Sequence, residues 1–249
     1  MIVLTAGLLG LIAGSFLNVV IHRVPLRESV VWPASHCPKC GEPIRSRDNL
    51  PLVSYALLRG RCRNCKARIP ARYPVVEAIT GALFAGAAYE FGLGLELLSA
   101  LVLISAQIAL AGIDLEHRLL PNAIVGPAAL AGFILSVLES PERWWVYLVS
   151  ALAVAGGLFA LAIAYPGGMG MGDVKMGGML GAFLGPYAAL AVFLGALCGT
   201  TLAGILLLAG RMGRRSRLPF GIFMALGALL TLFFGPQLWG LYLNAFMGA

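Results

Sequence analysis

Gly167-Gly168-Met169-Gly170-Met171-Gly172-Asp173-Val174-Lys175-Met176-Gly177-Gly178 lies between two long apolar runs. Six of its twelve residues are glycine, which argues against a regular helix throughout. It carries a carboxylate and an ammonium two residues apart. An ionisable side chain at the end of a membrane segment is costly and marks a functional site by default. The fold class turns on whether the flanking runs are membrane spans, and composition says that they are. The chain is 59% hydrophobic and 12% charged, with a mean hydropathy of +0.88. Soluble domains are roughly 45–50% apolar and about 25% charged.

Upstream of that stretch, Trp144 to Tyr165 reads as one span, with Trp144 and Trp145 where an interfacial aromatic belt sits. Pro121 to Leu138 is another, its proline suited to a first helical turn. Leu95 to Ile113, Pro74 to Phe91 and Ile2 to Ile21 complete the upstream set. The last of these has twenty residues, enough to cross about 30 Å of hydrocarbon. It reads as a retained first span rather than a cleaved signal, because no basic segment precedes it. Its Gly14, Ser15 and Asn18 suit close helix packing. Downstream, the run from Val174 to Gly210 is too long for one helix and breaks at Gly185-Pro186. Pro219 to Gly235 is the last span, and the tail to Ala249 lies outside or along the interface.

The expectation is an all-α polytopic membrane protein with about eight spans and both termini outside. Residues 1–21 form the first span, 22–73 a cytoplasmic loop domain and 74–249 the membrane core. Charge supports this topology. The net charge is +7, yet the segment His22–Arg72 holds eleven Lys/Arg against three carboxylates, leaving the rest near neutral. Arg118, Lys175 and the cluster at 211–217 fall on the same side as that loop. Positive-inside topology and contact with anionic lipid therefore explain the basic segment better than nucleic acid does. Asp114 and Asp173, 59 positions apart, end at the same depth on this inner side.

Cys37-Pro38-Lys39-Cys40 and Cys62-Arg63-Asn64-Cys65 are two C-x-x-C knuckles separated by 21 residues. Thiolates at this spacing suit a tetrahedral Zn²⁺ in a zinc-ribbon-like loop. Disulfides are the rival reading, and a reducing inner side argues against them. A Cys₄ site has no open position, and no H-E-x-x-H occurs in the chain, so this metal is structural. Cys198 lies mid-span and reads as packing. Hydrolytic chemistry falls instead to the two aspartates. Two carboxylates a few Å apart share a proton: one takes a proton from water while the other polarises a carbonyl. Helix capping by each aspartate is the plainer alternative.

The motifs resemble bacterial type IV prepilin peptidases, the leader peptidase/N-methyltransferases of pilus and type II secretion systems. Gly14 to Arg23 resembles the first-span motif, and Cys37 to Tyr73 with Arg72-Tyr73-Pro74-Val75-Val76-Glu77 resembles the zinc loop and its exit. Ile113-Asp114 with Pro121-Asn122, and Gly170-Met171-Gly172-Asp173-Val174-Lys175, resemble the two aspartate motifs. Pro219-Phe220-Gly221 resembles the last-span motif. Asn122 stands where an acidic residue is frequent, and Ile222 where proline is common. The resemblance implies an intramembrane aspartic endopeptidase of the bacterial inner membrane, with its active site facing the cytoplasm. It implies cleavage of basic leaders after glycine from type IV prepilins and type II secretion pseudopilins, then N-methylation with S-adenosylmethionine. Asp114 and Asp173 carry over as the catalytic pair, and Cys37, Cys40, Cys62 and Cys65 as zinc ligands. Glu77 is a candidate to hold the new ammonium, and Lys175 to steer Asp173 or bind a substrate carbonyl. The alternatives are a proton- or cation-coupled transporter and a non-catalytic assembly factor docking through the zinc loop.

Overall fold

The computed structural model describes residues 1–166, 168–211, 213 and 218–247. Gly167, most of the basic cluster at 211–217 and the extreme C-terminus lie outside them. In chain order the helices are α1 (Ile2–Arg23), α2 (Val53–Leu57), α3 (Arg72–Phe91), α4 (Leu95–His117), α5 (Asn122–Glu139), α6 (Trp144–Ala164), α7 (Met171–Leu184), α8 (Ala188–Leu208) and α9 (Phe220–Met247). Among the described residues, six stretches are long and apolar enough to cross a membrane. One of them is the 38-residue stretch Met171–Leu208. Gly185, at φ +54°, ends α7 within it, and a three-residue turn leads into α8. Glycine suits that conformation because it has no Cβ.

Two compact units divide the chain, Met1–Leu97 and Leu98–Ala249. In the first, α3 packs antiparallel on α1 through small residues. A Cβ at Gly10 would lie 2.7 Å from the Thr80 carbonyl, and one at Gly14 would lie 2.7 Å from the Glu77 Cα. In lipid, van der Waals contact rather than water exclusion holds helices together, so such close approach is what binds them. Asn18 extends the seam: its Nδ2 donates to the Gly14 and Tyr73 carbonyls.

In the second unit α7 is the central helix. It runs antiparallel to α6 and parallel to α5. A methyl at Gly181 would collide with the Ala151 backbone, and Gly177 receives Leu158. Ser136 Oγ of α5 donates to the Ala182 carbonyl at 2.9 Å. The α8–α9 pair closes in the same manner where Gly227 meets Ala191 and Gly195. Leu103, Leu110, Met176, Met179, Leu180 and Met224 form the buried centre of this unit.

One sequence expectation holds and one changes. The glycine-rich stretch is not helical throughout: residues 168–170 precede the helix, α7 begins at Met171, and Gly177, Gly178 and Gly181 then pack closely on α6. The last helix does not stop at Gly235: α9 runs 28 residues to Met247 with Pro236 inside it. A proline removes one helical hydrogen bond without ending the helix, which membrane helices tolerate.

Candidate active site and metal centre

Asp114 sits three residues before the end of α4 and is buried, with 6% of its surface exposed. Its Oδ2 accepts the Ile222 backbone N–H at 3.3 Å. This bond places the start of α9 on the carboxylate. Gly221 leaves the room, since a Cβ there would lie 2.8 Å from Asp114 Oδ2. Gly221-Ile222 is thus the wall against which Asp114 rests, a role that no sequence spacing announces.

Asp173 is the third residue of α7, and its Oδ2 accepts the Gly170 N–H at 3.0 Å. The capping that the sequence offered as the plainer alternative is therefore real. It uses one carboxylate oxygen, so capping and catalysis are compatible. Leu120 joins the two environments. A Cβ on Gly172, next to Asp173, would lie 3.0 Å from Leu120, and so would one on Gly221, beside Asp114. The structure thus gathers both aspartates around one leucine.

Lys175 does not join them. Residues two apart on a helix point about 200° apart, and Lys175 Nζ donates instead to Asn122 Oδ1 at 3.0 Å. Asn122 begins α5, so this bond ties the N-terminal ends of α5 and α7 together. Glu77, in the first unit, is 8% exposed, and its Oε2 accepts the Leu52 N–H at 2.8 Å. It pins the start of α2 to α3 at a residue, Leu52, whose φ is +59°.

The four cysteines form a cluster fit to hold a metal: their sulfurs all lie within 4.8 Å of one another. Two knuckles of the same hydrogen-bond pattern present them. Cys37 N–H donates to Glu42 O and Gly41 N–H to Cys37 O; Cys62 N–H donates to Ala67 O and Lys66 N–H to Cys62 O. The matching turn residues, Gly41 and Lys66, both have positive φ, +71° and +57°. As thiols, Cys37 and Cys65 shift in opposite directions. The Lys39 and Cys40 backbone N–H groups draw Cys37 down to about 6. Cys65 is pushed up to about 11: the Ala67 N–H favours its thiolate, but desolvation and the three neighbouring thiols outweigh it. Asp48 reaches across from between the knuckles and accepts both Nε and Nη2 of Arg63, at 2.8 and 2.6 Å. That guanidinium holds the Asp48 carboxyl below its usual range.

An all-helical membrane chain with a four-cysteine loop and two helix-end aspartates is a narrow class. Comparison with known proteins narrows it further. The model of the bacterial peptidase A24 N-terminal domain matches residues 8–91, and that of the type IV leader peptidase family matches residues 101–249. The chain belongs to the type IV leader peptidase family. Its relatives include three proteins named prepilin leader peptidase/N-methyltransferase. That of Bacillus subtilis (strain 168) is 36% identical over 96% of this chain and 97% of its own length. That of Pseudomonas aeruginosa is 35% identical over 97% and 93%. That of Burkholderia pseudomallei (strain 1026b) is 36% identical over 91% and 84%. No solved structure matches the chain.

Proposed function

We propose that Asp114 and Asp173 are the hydrolytic pair of this enzyme, which cleaves the leader from prepilins and N-methylates the product. Family membership carries the activity, and the placing of both aspartates around Leu120 supports their assignment. Asp114 Oδ2 accepts the Ile222 N–H, with the Gly221 backbone beside it, and Asp173 Oδ2 accepts the Gly170 N–H. The second oxygens are left for substrate and water. The ionised partner takes a proton from the attacking water, and the protonated one polarises the scissile carbonyl, then gives its proton to the leaving amine. The test is cleavage of a prepilin by purified protein in detergent. Cleavage that survives both Asp114→Asn and Asp173→Asn removes this reading.

The metal of the loop is zinc. A tetrahedral site with Zn–S of about 2.3 Å has S···S edges of about 3.8 Å, and Cys37 and Cys65 stand 3.8 Å apart. Zinc here ties the two knuckles together and takes no part in hydrolysis. The methyl donor is S-adenosylmethionine, which supplies an electrophilic methyl on a sulfonium. A cavity of about 390 Å³ in the first unit, bordered by Phe16, Arg23, Pro33 and Asn49, has room for it, with Arg23 as a cation for its carboxylate. Glu77, held through one oxygen by Leu52 N–H, offers its other oxygen to the new ammonium. Lys175 acts by holding α5 to α7 rather than by touching substrate.

The chain spans the inner membrane eight times, with α7 and α8 as separate spans and α3 as a charged-ended one. The cysteine loop and the pair face the cytoplasm, as the concentration of Lys/Arg between His22 and Arg72 supports. Pseudopilins of type II secretion are substrates alongside type IV prepilins.

A further inference from the structure

Gln107 of α4 has no exposed surface, and among the described residues neither its Oε1 nor its Nε2 has a hydrogen-bond partner. Helical spacing places it on one face with Leu103, Leu110 and Asp114. It lies seven residues before Asp114, about 10.5 Å deeper along the helix. On α9, Gly221, Met224, Ala228 and Thr231 share a face that begins at Asp114. Thr231 is 2% exposed, and its Oγ1 is also without a partner. Leu103 and Leu110, on the same face of α4 as Gln107, and Met224 and Ala228, on the same face of α9 as Thr231, belong to the buried apolar centre of this unit. A buried side-chain amide with donor and acceptor both unmet is costly. Both groups can donate and accept, but only Gln107 offers the two functions on separate atoms, spaced to meet a peptide N–H and a carbonyl at once.

Peptide hydrolysis at the pair needs the substrate main chain unwound from a helix, because a helix keeps its carbonyls engaged. In lipid the unwound N–H and C=O groups must find partners. An extended chain advances about 3.3–3.4 Å per residue, so 10.5 Å is about three residues. We propose that Gln107 receives the main chain of the substrate about three residues to the mature side of the scissile bond, donating to a carbonyl and accepting from an N–H. This rests on Asp114 as a member of the hydrolytic pair. Gln107 is enclosed in this structure, so the substrate reaches it as the packing beside α4 parts, and there it meets an amide with no partner to give up. Gln107 is a positioning residue that sets how deep the substrate sits.

The experiment uses the purified full chain and a synthetic prepilin peptide in which single backbone amides beyond the cleavage site are replaced by esters, one position at a time. Cleavage of the all-amide peptide by the unaltered enzyme and its loss in Asp114→Asn test the pair by themselves. Gln107→Leu and Gln107→Met are each expected to lower kcat/KM on that peptide tenfold or more. Their thermal midpoints should be unchanged or raised, because the orphaned amide is gone. In the unaltered enzyme an ester near the third mature residue is expected to cost a similar factor, and that cost should vanish in both variants. Wild-type kcat/KM in the variants, or ester sensitivity that persists in them at every position, overturns the proposal. A lower thermal midpoint with a matching loss on every peptide also overturns it, since the amide is then structural.

Discussion

Each cysteine knuckle is shaped by hydrogen bonds within six residues of its first cysteine, whereas Asp114 is held by a backbone N–H 108 positions away. The loop is a local object. It repeats one turn twice, and its ligands converge because the turns are alike. The pair is a tertiary object, whose geometry exists only when α4, α7 and α9 are packed. The loop is therefore expected to fail through loss of its metal, and the pair through disturbance of helix packing. Separate damage to each is the way to break this contrast.

The largest effect is expected for the carboxylates. Asp114→Asn or Asp173→Asn should reduce prepilin cleavage by about 10³-fold or more, with bound zinc unchanged at about one per chain by metal analysis. Next comes Gly221→Ala. The added methyl would press on Asp114 Oδ2 and Leu120, and a displacement of even 1 Å at a reacting group costs on the order of 10² in rate. Cleavage should drop by about that factor with helical content retained by circular dichroism. Cys62→Ser should strip the metal and lower methylation, followed by mass spectrometry of the product, more than cleavage. Equal loss of both activities would show that loop and pair are not separable.

Smaller effects sharpen the picture of the loop. Lys66 occupies the positive-φ position that Gly41 fills in the sister knuckle. Left-handed backbone costs a non-glycine residue about 1–2 kcal/mol, partly offset by the greater entropy that glycine loses on folding. Lys66→Gly should therefore stabilise the loop by roughly 0.5–1 kcal/mol, read as slower zinc release to a chelator. Asp48→Asn is expected to act least, because an exposed ion pair contributes little. Its sign is fixed by the lowered Asp48 pKa. The Asp48–Arg63 contribution is present above the usual carboxylate value of about 3.9 and is lost as pH falls through the lower folded value. Limited proteolysis of the loop should accordingly separate the two proteins at pH 6 and converge at the acid end.

The contrast also explains what the sequence disclosed. Apolar runs mark helices directly, so α1 and α3 to α8 are readable to within a few residues. C-x-x-C spacing is a local signal for a local object, and the sulfur cluster forms from those four residues. Asp114 and Asp173 were readable as individually costly charges at one depth. The groups that hold Asp114 were not, because Ile222 and Gly221 carry no chemical signature and approach it only through folding. Lys175 stands two positions from Asp173 in sequence yet bonds Asn122, because two positions along a helix point to opposite sides. Gly235-Pro236 resembles a stop, yet α9 continues past it, because a proline costs a helix one bond and packing supplies the rest.

Leu120 fills the space beside both Gly172 and Gly221, and each of those positions has less than a methyl group of clearance. One carbon atom is thus the machining tolerance of the packing beside Asp114 and Asp173. The spacing of two helix ends from different parts of the chain is gauged by a single leucine seated in a socket of two hydrogens. An enzyme assembled this way can vary widely on its lipid-facing sides, while any change of gauge at residues 120, 172 or 221 reaches both carboxylates at once.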